Sequence, residues 1–329
     1  MIEGSRAWAV GLGLVTACAP PAAAPTGTDA DASGTTQAAE STGSTASTNA
    51  ADPEGSSGSG SSEGPGTGDE GSTSTSTGSS GSGSDEGSTG PGDPVEEAIE
   101  RGILGASSIG NDELVMQIFL DVMYRRHSVE DFATAAARYD EIIAAIPDPP
   151  IDAFAFRRIL HSSQQLTAEE LAQIAPGVNE VTVPAMYCDI LPLAPDYAAR
   201  LQSDAALGSY ELTHVVIALE WMHELGCTAP VDAAFVDQVI LDDLALIEPS
   251  DGLSDLELEA AVFGTMLAGP ELLPPDLVDA VLAGQLEDGT WPTLPTQTTG
   301  AWHATGVALM LLHELHREPQ DGFLADTIP

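Results

Sequence analysis

Ile217-Ala218-Leu219-Glu220-Trp221-Met222-His223-Glu224-Leu225 and Val307-Ala308-Leu309-Met310-Leu311-Leu312-His313-Glu314-Leu315 are two copies of one pattern. Each lies in a longer segment, Tyr210 to Cys227 and Ala301 to His316, that is apolar on most sides. Such a segment suits a helix buried all round. An aromatic, a threonine and a histidine open both segments: Tyr210, Thr213 and His214 in the first, Trp302, His303 and Thr305 in the second. Upstream of each stands a shorter helical segment opened by Pro-Asp, at Pro195-Asp196 and Pro275-Asp276. A third pair fits between them, Val231 to Ile247 followed by Leu253 to Leu267. The unit is a helical hairpin of roughly 40 residues, within the range of repeat architectures. A lone hairpin cannot bury both faces, so hairpins must stack. An open superhelix and a closed ring both satisfy this pattern. The apolar inner segments, and the small residues Ala218, Gly306 and Ala308 that allow close approach, favour the ring.

The same helical spacing runs from Pro94 onward, and alternating β-branched runs are scarce. Ser128 before Val129-Glu130-Asp131 reads as an N-cap, and Thr167-Ala168-Glu169-Glu170 as a capping box. Pro147-Asp148-Pro149-Pro150 separates two helices. About ten to eleven helices are expected on these signals. Val178 to Val183, the one stretch with strand character, reads as a loop.

Residues 18–93 are of a different kind. Beyond Cys18 they are almost entirely Ser, Gly, Thr, Ala, Pro, Asp and Glu, without an aromatic or a large aliphatic side chain. Such a segment has nothing to bury and cannot repay the entropy of ordering. It reads as a disordered tether with an r.m.s. span of about 45–50 Å. The division is therefore 1–17, 18–93 and an all-α domain at 94–329.

The formal charge is −42, and the chain contains no lysine. That excludes a lysine Schiff base and a P-loop lysine. It also argues against nucleic-acid binding, where phosphates need cations.

Residues 1–17 carry Arg6, a short apolar run from Ala7 to Val15, and small residues before Cys18. A positive residue, a short apolar core and small residues before a cleavage point make a secretory signal rather than a membrane-spanning helix. Val15-Thr16-Ala17-Cys18 resembles the lipobox of bacterial lipoproteins. The resemblance implies cleavage before Cys18, lipidation of that residue, and an envelope protein held to the membrane by its lipid. Ala19 carries no retention-type acid, which points to the outer membrane. An exported protein can oxidise its remaining pair, Cys188 and Cys227, to a disulfide. Two free buried thiols, and a metal role for one of them, are the other readings.

Gln285-Leu286-Glu287-Asp288-Gly289-Thr290-Trp291 has the form Q-x-x-x-G-x-W. It resembles the QW motif of the terpenoid (squalene) cyclase and prenyltransferase α/α-toroid superfamily, where the motif joins an outer helix to the next inner one. The resemblance implies an α/α toroid, a ring of helical hairpins, for the domain. Ala280 stands where the motif usually has an aromatic. The family's chemistry does not follow. The acid motif D-x-D-D has no match, since Leu241-Asp242-Asp243-Leu244 is only a two-acid run, and lysines for a diphosphate are absent.

The residues best suited to chemistry are Tyr187-Cys188-Asp189, His214 and His303, with Glu211 one turn from His214. Imidazole, thiolate and carboxylate suit a zinc-like divalent ion, and Cys188, Asp189, His214 and His303 are the candidate ligands. Glu211, His214 and His303 are the candidate catalytic groups, Glu211 as a general base. The competing reading is a structural cluster of ring-lining polar groups. His223-Glu224 and His313-Glu314 form a second set, explained by helix C-termini that favour a positive histidine. His313 and His316 lie three residues apart and suit adventitious metal. Trp291 and Trp302 read as core. Two functions remain: a lipid-anchored protein that binds a ligand or protein partner at the envelope, or an extracytoplasmic metal-dependent hydrolase or lyase with its site at one mouth of the ring.

Overall fold

A computed structural model describes residues 92–324, apart from 175–176, 250–251 and 321. The signal segment 1–17, Cys18 and the tether up to residue 91 lie outside the described residues.

The described chain is all-helical and contains no strand. Twelve α-helices follow one another: α1 (Pro94–Ser108), α2 (Leu114–His127), α3 (Ala135–Ala145), α4 (Ile151–Leu160), α5 (Ala168–Leu171), α6 (Asn179–Met186), α7 (Tyr197–Leu207), α8 (Ser209–Glu224), α9 (Ala233–Leu244), α10 (Asp255–Ala268), α11 (Leu277–Gly284) and α12 (Trp302–His316). None is long and apolar enough to cross a membrane.

Local chemistry sets several boundaries. The Asp93 carboxylate accepts from Val95 N–H at 2.9 Å, and Pro94 occupies the first helical position of α1, where no N–H is needed. Thr167 with Glu170, and Ser254 with Glu257, form reciprocal capping boxes on α5 and α10. Two expectations are corrected here. Ser128 is not an N-cap: it ends α2 in the left-handed region at φ 56°. Val178 to Val183 is not a loop. From Asn179 the chain is helical, with Pro184 inside α6. Val181 and Val183 are fully buried there, and packing overrides the poor helix propensity of valine and proline.

Burial differs between even- and odd-numbered helices. In α8 every residue from Val215 to Met222 is buried, and in α12 every residue from Ala304 to His313. In α7 and α11 only two residues each are buried, Tyr197 with Leu201 and Leu277 with Val281. The even-numbered helices touch in a circuit: α2 meets α4, α4 meets α6, α6 meets α8, α8 meets α10, α10 meets α12, and α12 returns to α2. Odd-numbered helices pack against members of that circuit, α1 on α12, α3 on α2, α7 on α8 and α9 on α8 and α10. Close approach depends on small residues; a Cβ on Gly306 of α12 would lie 2.5 Å from the Phe119 ring of α2. Leu309, Leu311 and Leu312 are fully buried, each contributing roughly 2 kcal/mol.

The Gln285–Trp291 loop ties the end of the domain to its beginning. Gln285 donates to the Ala98 carbonyl of α1 at 2.8 Å and accepts from Arg101 at 2.5 Å. Gly289 has φ 85°, and a Cβ there would stand 2.0 Å from the Arg101 carbonyl oxygen, so no other residue fits. Trp291 is buried and its indole N–H donates to the Val281 carbonyl at 2.8 Å, satisfying one of the free carbonyls at the end of α11.

Candidate functional site

The N-terminal turns of α8, α10 and α12 converge. His214 comes from α8, Asp255 and Glu259 from α10, and His303 from α12. His303 Nδ1 lies 2.8 Å from Asp255 Oδ1, and its Nε2 lies 3.3 Å from Glu259 Oε2. His214 Nδ1 lies 3.4 Å from Glu259 Oε1 and 2.7 Å from the Tyr210 carbonyl. A carbonyl only accepts, so Nδ1 carries a hydrogen and donates it to the Tyr210 carbonyl. Thr213 donates to Glu259, and the Tyr210 hydroxyl donates to Asp255 at 3.0 Å. Phe119 and Trp302 flank His303, with ring centroids 5.6 and 5.3 Å away.

Glu259 is almost completely buried, at 1% exposure, while His214 and His303 keep 19% and 13% of their side chains exposed. The pair is thus a partly open rim over a closed acid floor. Burial alone would lower the pKa of His303. The Asp255 carboxylate at Nδ1, with Glu259 behind, outweighs it and raises the pKa. Behind α10, Asp243 of α9 is fully buried; burial, with the Glu259 charge, pushes its pKa up to about 8.

Of the residues chosen from sequence, the structure brings His214 and His303 together and leaves the others elsewhere. Cys188 is bonded to Cys227, with Cα atoms 6.2 Å apart. Cys227 follows the C-terminal end of α8, whose rise from His214 to Glu224 is about 15 Å. The chain before α7 therefore lies at the far end of the bundle, because α7 must run back along α8 before α8 starts. Asp189 accepts from Arg158 at 2.7 and 2.8 Å, and Arg158 stands over the Tyr187 ring at 4.8 Å. The four-ligand metal set is corrected accordingly: a thiol in a disulfide and a carboxylate in an ion pair are not ligands, and both nitrogens of His303 face carboxylates. Among the described residues no group of three or more His, Cys, Asp or Glu is placed to hold a metal ion. Glu211 lies near Asp204 of α7 and contributes to raising its pKa. The carboxylate beside His214 is Glu259.

Asp255 and Glu259 escaped sequence reading. The signal was present: Glu259 is the fifth residue of α10, as Thr213 is of α8, and Leu253–Leu267 is the second segment of the third pair.

The opposite ends of α2, α8 and α12 gather a denser set. Arg126 meets Glu314 at 2.5 and 3.1 Å and Glu224 at 3.9 Å. His127 Nε2 lies 2.9 Å from Glu314, and the His127 ring stacks on His313 at 5.2 Å. Burial pushes Glu220 up to about 8, with Glu224 adding to it, and pushes His313 down to about 3, with His127 adding to it. His223 is 80% exposed and reaches only Glu220, with Nδ1 3.6 Å from Oε2, and His316 turns to Glu96 at 3.4 Å rather than joining His313.

Against protein-family models, curated proteins and solved structures, the chain finds no match.

Proposed function

We propose that this is an exported bacterial envelope protein, lipid-anchored through Cys18, whose domain at 94–329 is an α/α toroid that binds a ligand or partner at one mouth. The circuit of even-numbered helices and the Gln285–Trp291 loop seated on α1 support the toroid, and with it the resemblance to the terpenoid cyclase and prenyltransferase superfamily. The Cys188–Cys227 disulfide suits an oxidising compartment, as export requires. Display at the outer membrane follows from Ala19.

The observation that carries the binding site is the meeting of two partly exposed imidazoles from different helices over one buried carboxylate. A structural histidine needs one partner. Here His303 has acids at both nitrogens and His214 keeps one nitrogen free, with aromatic rings beside them. The test has two arms. Growth with a clickable palmitate analogue should label the wild type and not Cys18→Ser; equal labelling removes the anchor. Envelope saccharides, peptides and lipids should be screened by thermal shift against wild type and His214→Ala/His303→Ala. A ligand whose shift disappears in the variant supports the mouth. A ligand whose shift survives places binding elsewhere.

The second reading is an extracytoplasmic hydrolase or lyase. The Asp255–His303 hydrogen bond favours it, since a carboxylate that orients an imidazole is a common acid–base unit. In that reading Asp255 fixes the imidazole through Nδ1, and Nε2 is the atom that takes a proton from the substrate and returns it to the leaving group; no step passes through zinc. Turnover of a mouth ligand lost in His303→Gln, with binding retained, would select this reading.

A further inference from the structure

At the far end of the bundle the chain returns and seals it. Residues 322–324 lie across the ends of α2 and α8, with the chain bent at Phe323 and Leu324. One carboxylate, Glu224, accepts two successive main-chain N–H groups, Phe323 at 2.6 Å and Leu324 at 3.0 Å. One guanidinium, Arg125, donates to the carbonyls of Gly322 at 3.2 Å and Phe323 at 2.8 Å, and is itself held by Asp121 at 2.8 Å. The Phe323 ring packs on Trp221, with centroids 5.5 Å apart, and both Phe323 and Leu324 are almost fully buried. Upstream, Gln320 N–H donates to the Arg126 carbonyl at 2.7 Å.

The charged side chains read peptide main chain, and only the apolar pocket reads side chains. That is how a site recognises a short bent stretch of peptide main chain. A second observation concerns the fit. With the strap in place, Trp221 Nε1 and Glu220 Oε2 remain buried without a hydrogen-bond partner, as do both nitrogens of His313. Buried polar atoms are normally satisfied. The chain's own segment matches the main-chain clamp and leaves the Trp221 indole N–H, whose ring packs on Phe323, unmatched.

We infer that this end of the bundle is a peptide-docking site, separate from the histidine mouth, and that residues 322–324 occupy it as a displaceable internal ligand. Its external ligand is a peptide that takes the same bend, with an aromatic–aliphatic pair in the positions of Phe323 and Leu324. In the intact chain the tethered strap competes at an effective concentration in the millimolar range, so the site is masked until the strap lets go.

The test uses the full-length protein and a fluorescent peptide of sequence Gly-Phe-Leu-Ala-Asp-Thr-Ile-Pro, the chain's residues 322–329. It should bind Phe323→Ala/Leu324→Ala at least tenfold more tightly than wild type. Adding Glu224→Gln, or N-methylating the peptide at its Phe and Leu, should each weaken binding at least tenfold. No binding to the folded double variant overturns the inference, as does binding indifferent to Glu224→Gln and to N-methylation. If the double variant does not fold, hydrogen exchange on the wild type decides. Amides of Phe323 and Leu324 that exchange at least tenfold faster than those of the α8 core support a displaceable strap. Exchange at the rate of the core overturns it.

Discussion

Replacing Asp243 by asparagine should make the protein more stable, and only above about pH 4. Asp243 is fully buried on α9 and neither carboxylate oxygen has a hydrogen-bond partner. Gly264 of α10 comes so close that a Cβ there would stand 3.1 Å from Oδ2. Burial first, and the charge of Glu259 second, push its pKa from 3.8 to about 8. An acid with a raised native pKa contributes its full stability below the unfolded value and loses it as pH rises toward the native value. Between about pH 4 and 8 the unfolded chain is ionised while the native state holds its proton, so stability falls by about 1.4 kcal/mol per pH unit. By pH 7 the accumulated cost is about 4 kcal/mol. Asparagine has the same shape and does not titrate. Urea unfolding of Asp243→Asn and the parent should give equal midpoints at pH 4, and a gap that widens to about 4 kcal/mol at pH 7, with unchanged m-values. A gap that does not vary with pH would mean a packing effect and would refute the reasoning.

Three further expectations use the same kind of measurement. His313 titrates in the opposite sense: its pKa is lowered to about 3, so the parent loses stability as pH falls below 6.5, and His313→Leu should lose about 1.4 kcal/mol less per pH unit in that range. Parallel acid limbs for the two proteins would contradict this. The Cys188–Cys227 bridge spans a sequence separation of 39, so Cys188→Ser/Cys227→Ser should be less stable by about 4 kcal/mol, and dithiothreitol should bring the parent to the same value. Gln285→Ala removes the bonds to Ala98 and Arg101 and should cost about 2 kcal/mol, with amides of α1 losing exchange protection before those of α10. Uniform loss across both helices would detach the Gln285 loop from any role in closing the domain.

The helices were legible because their apolar residues repeat at helical spacing over long segments, and because two inner helices carry nearly the same sequence. Pairing His214 with His303 followed from that repeat. Its acid floor did not, because Asp255 and Glu259 sit in the third copy, where acids replace histidines and look like a solvated first turn with a capping box. α6 was hidden for a local reason. Valine, threonine and proline disfavour a helix that must stand alone, whereas α6 is enclosed between α4 and α8. The metal set failed on direction. Cys188 and Asp189 are near His214 along the chain, and a helical hairpin sends chain neighbours to opposite ends.

Helix direction also explains why the two ends of the bundle are built so differently. The mouth gathers helix N-termini, where partial positive charge favours carboxylates. Asp255 and Glu259 lie in the first turns of α10, so the floor of the mouth is tolerated even where its rim stays open. The far end gathers C-termini, where partial negative charge disfavours them. Glu220, Glu224 and Glu314 nevertheless sit there, and each needs donors from outside its own helix. Arg126 serves Glu314 and lies near Glu224, while the amides of Phe323 and Leu324 serve Glu224 directly. Burial of these two side chains contributes roughly 2 kcal/mol each, and bonds to a charged acceptor about 1.5–3 kcal/mol more. Removing the strap therefore costs more than its apolar area, because it leaves a buried carboxylate at the negative ends of helices with fewer donors. A peptide that supplied the same two N–H groups, and partners for Trp221 Nε1 and Glu220 as well, would restore what the strap provides and satisfy what it leaves unmet.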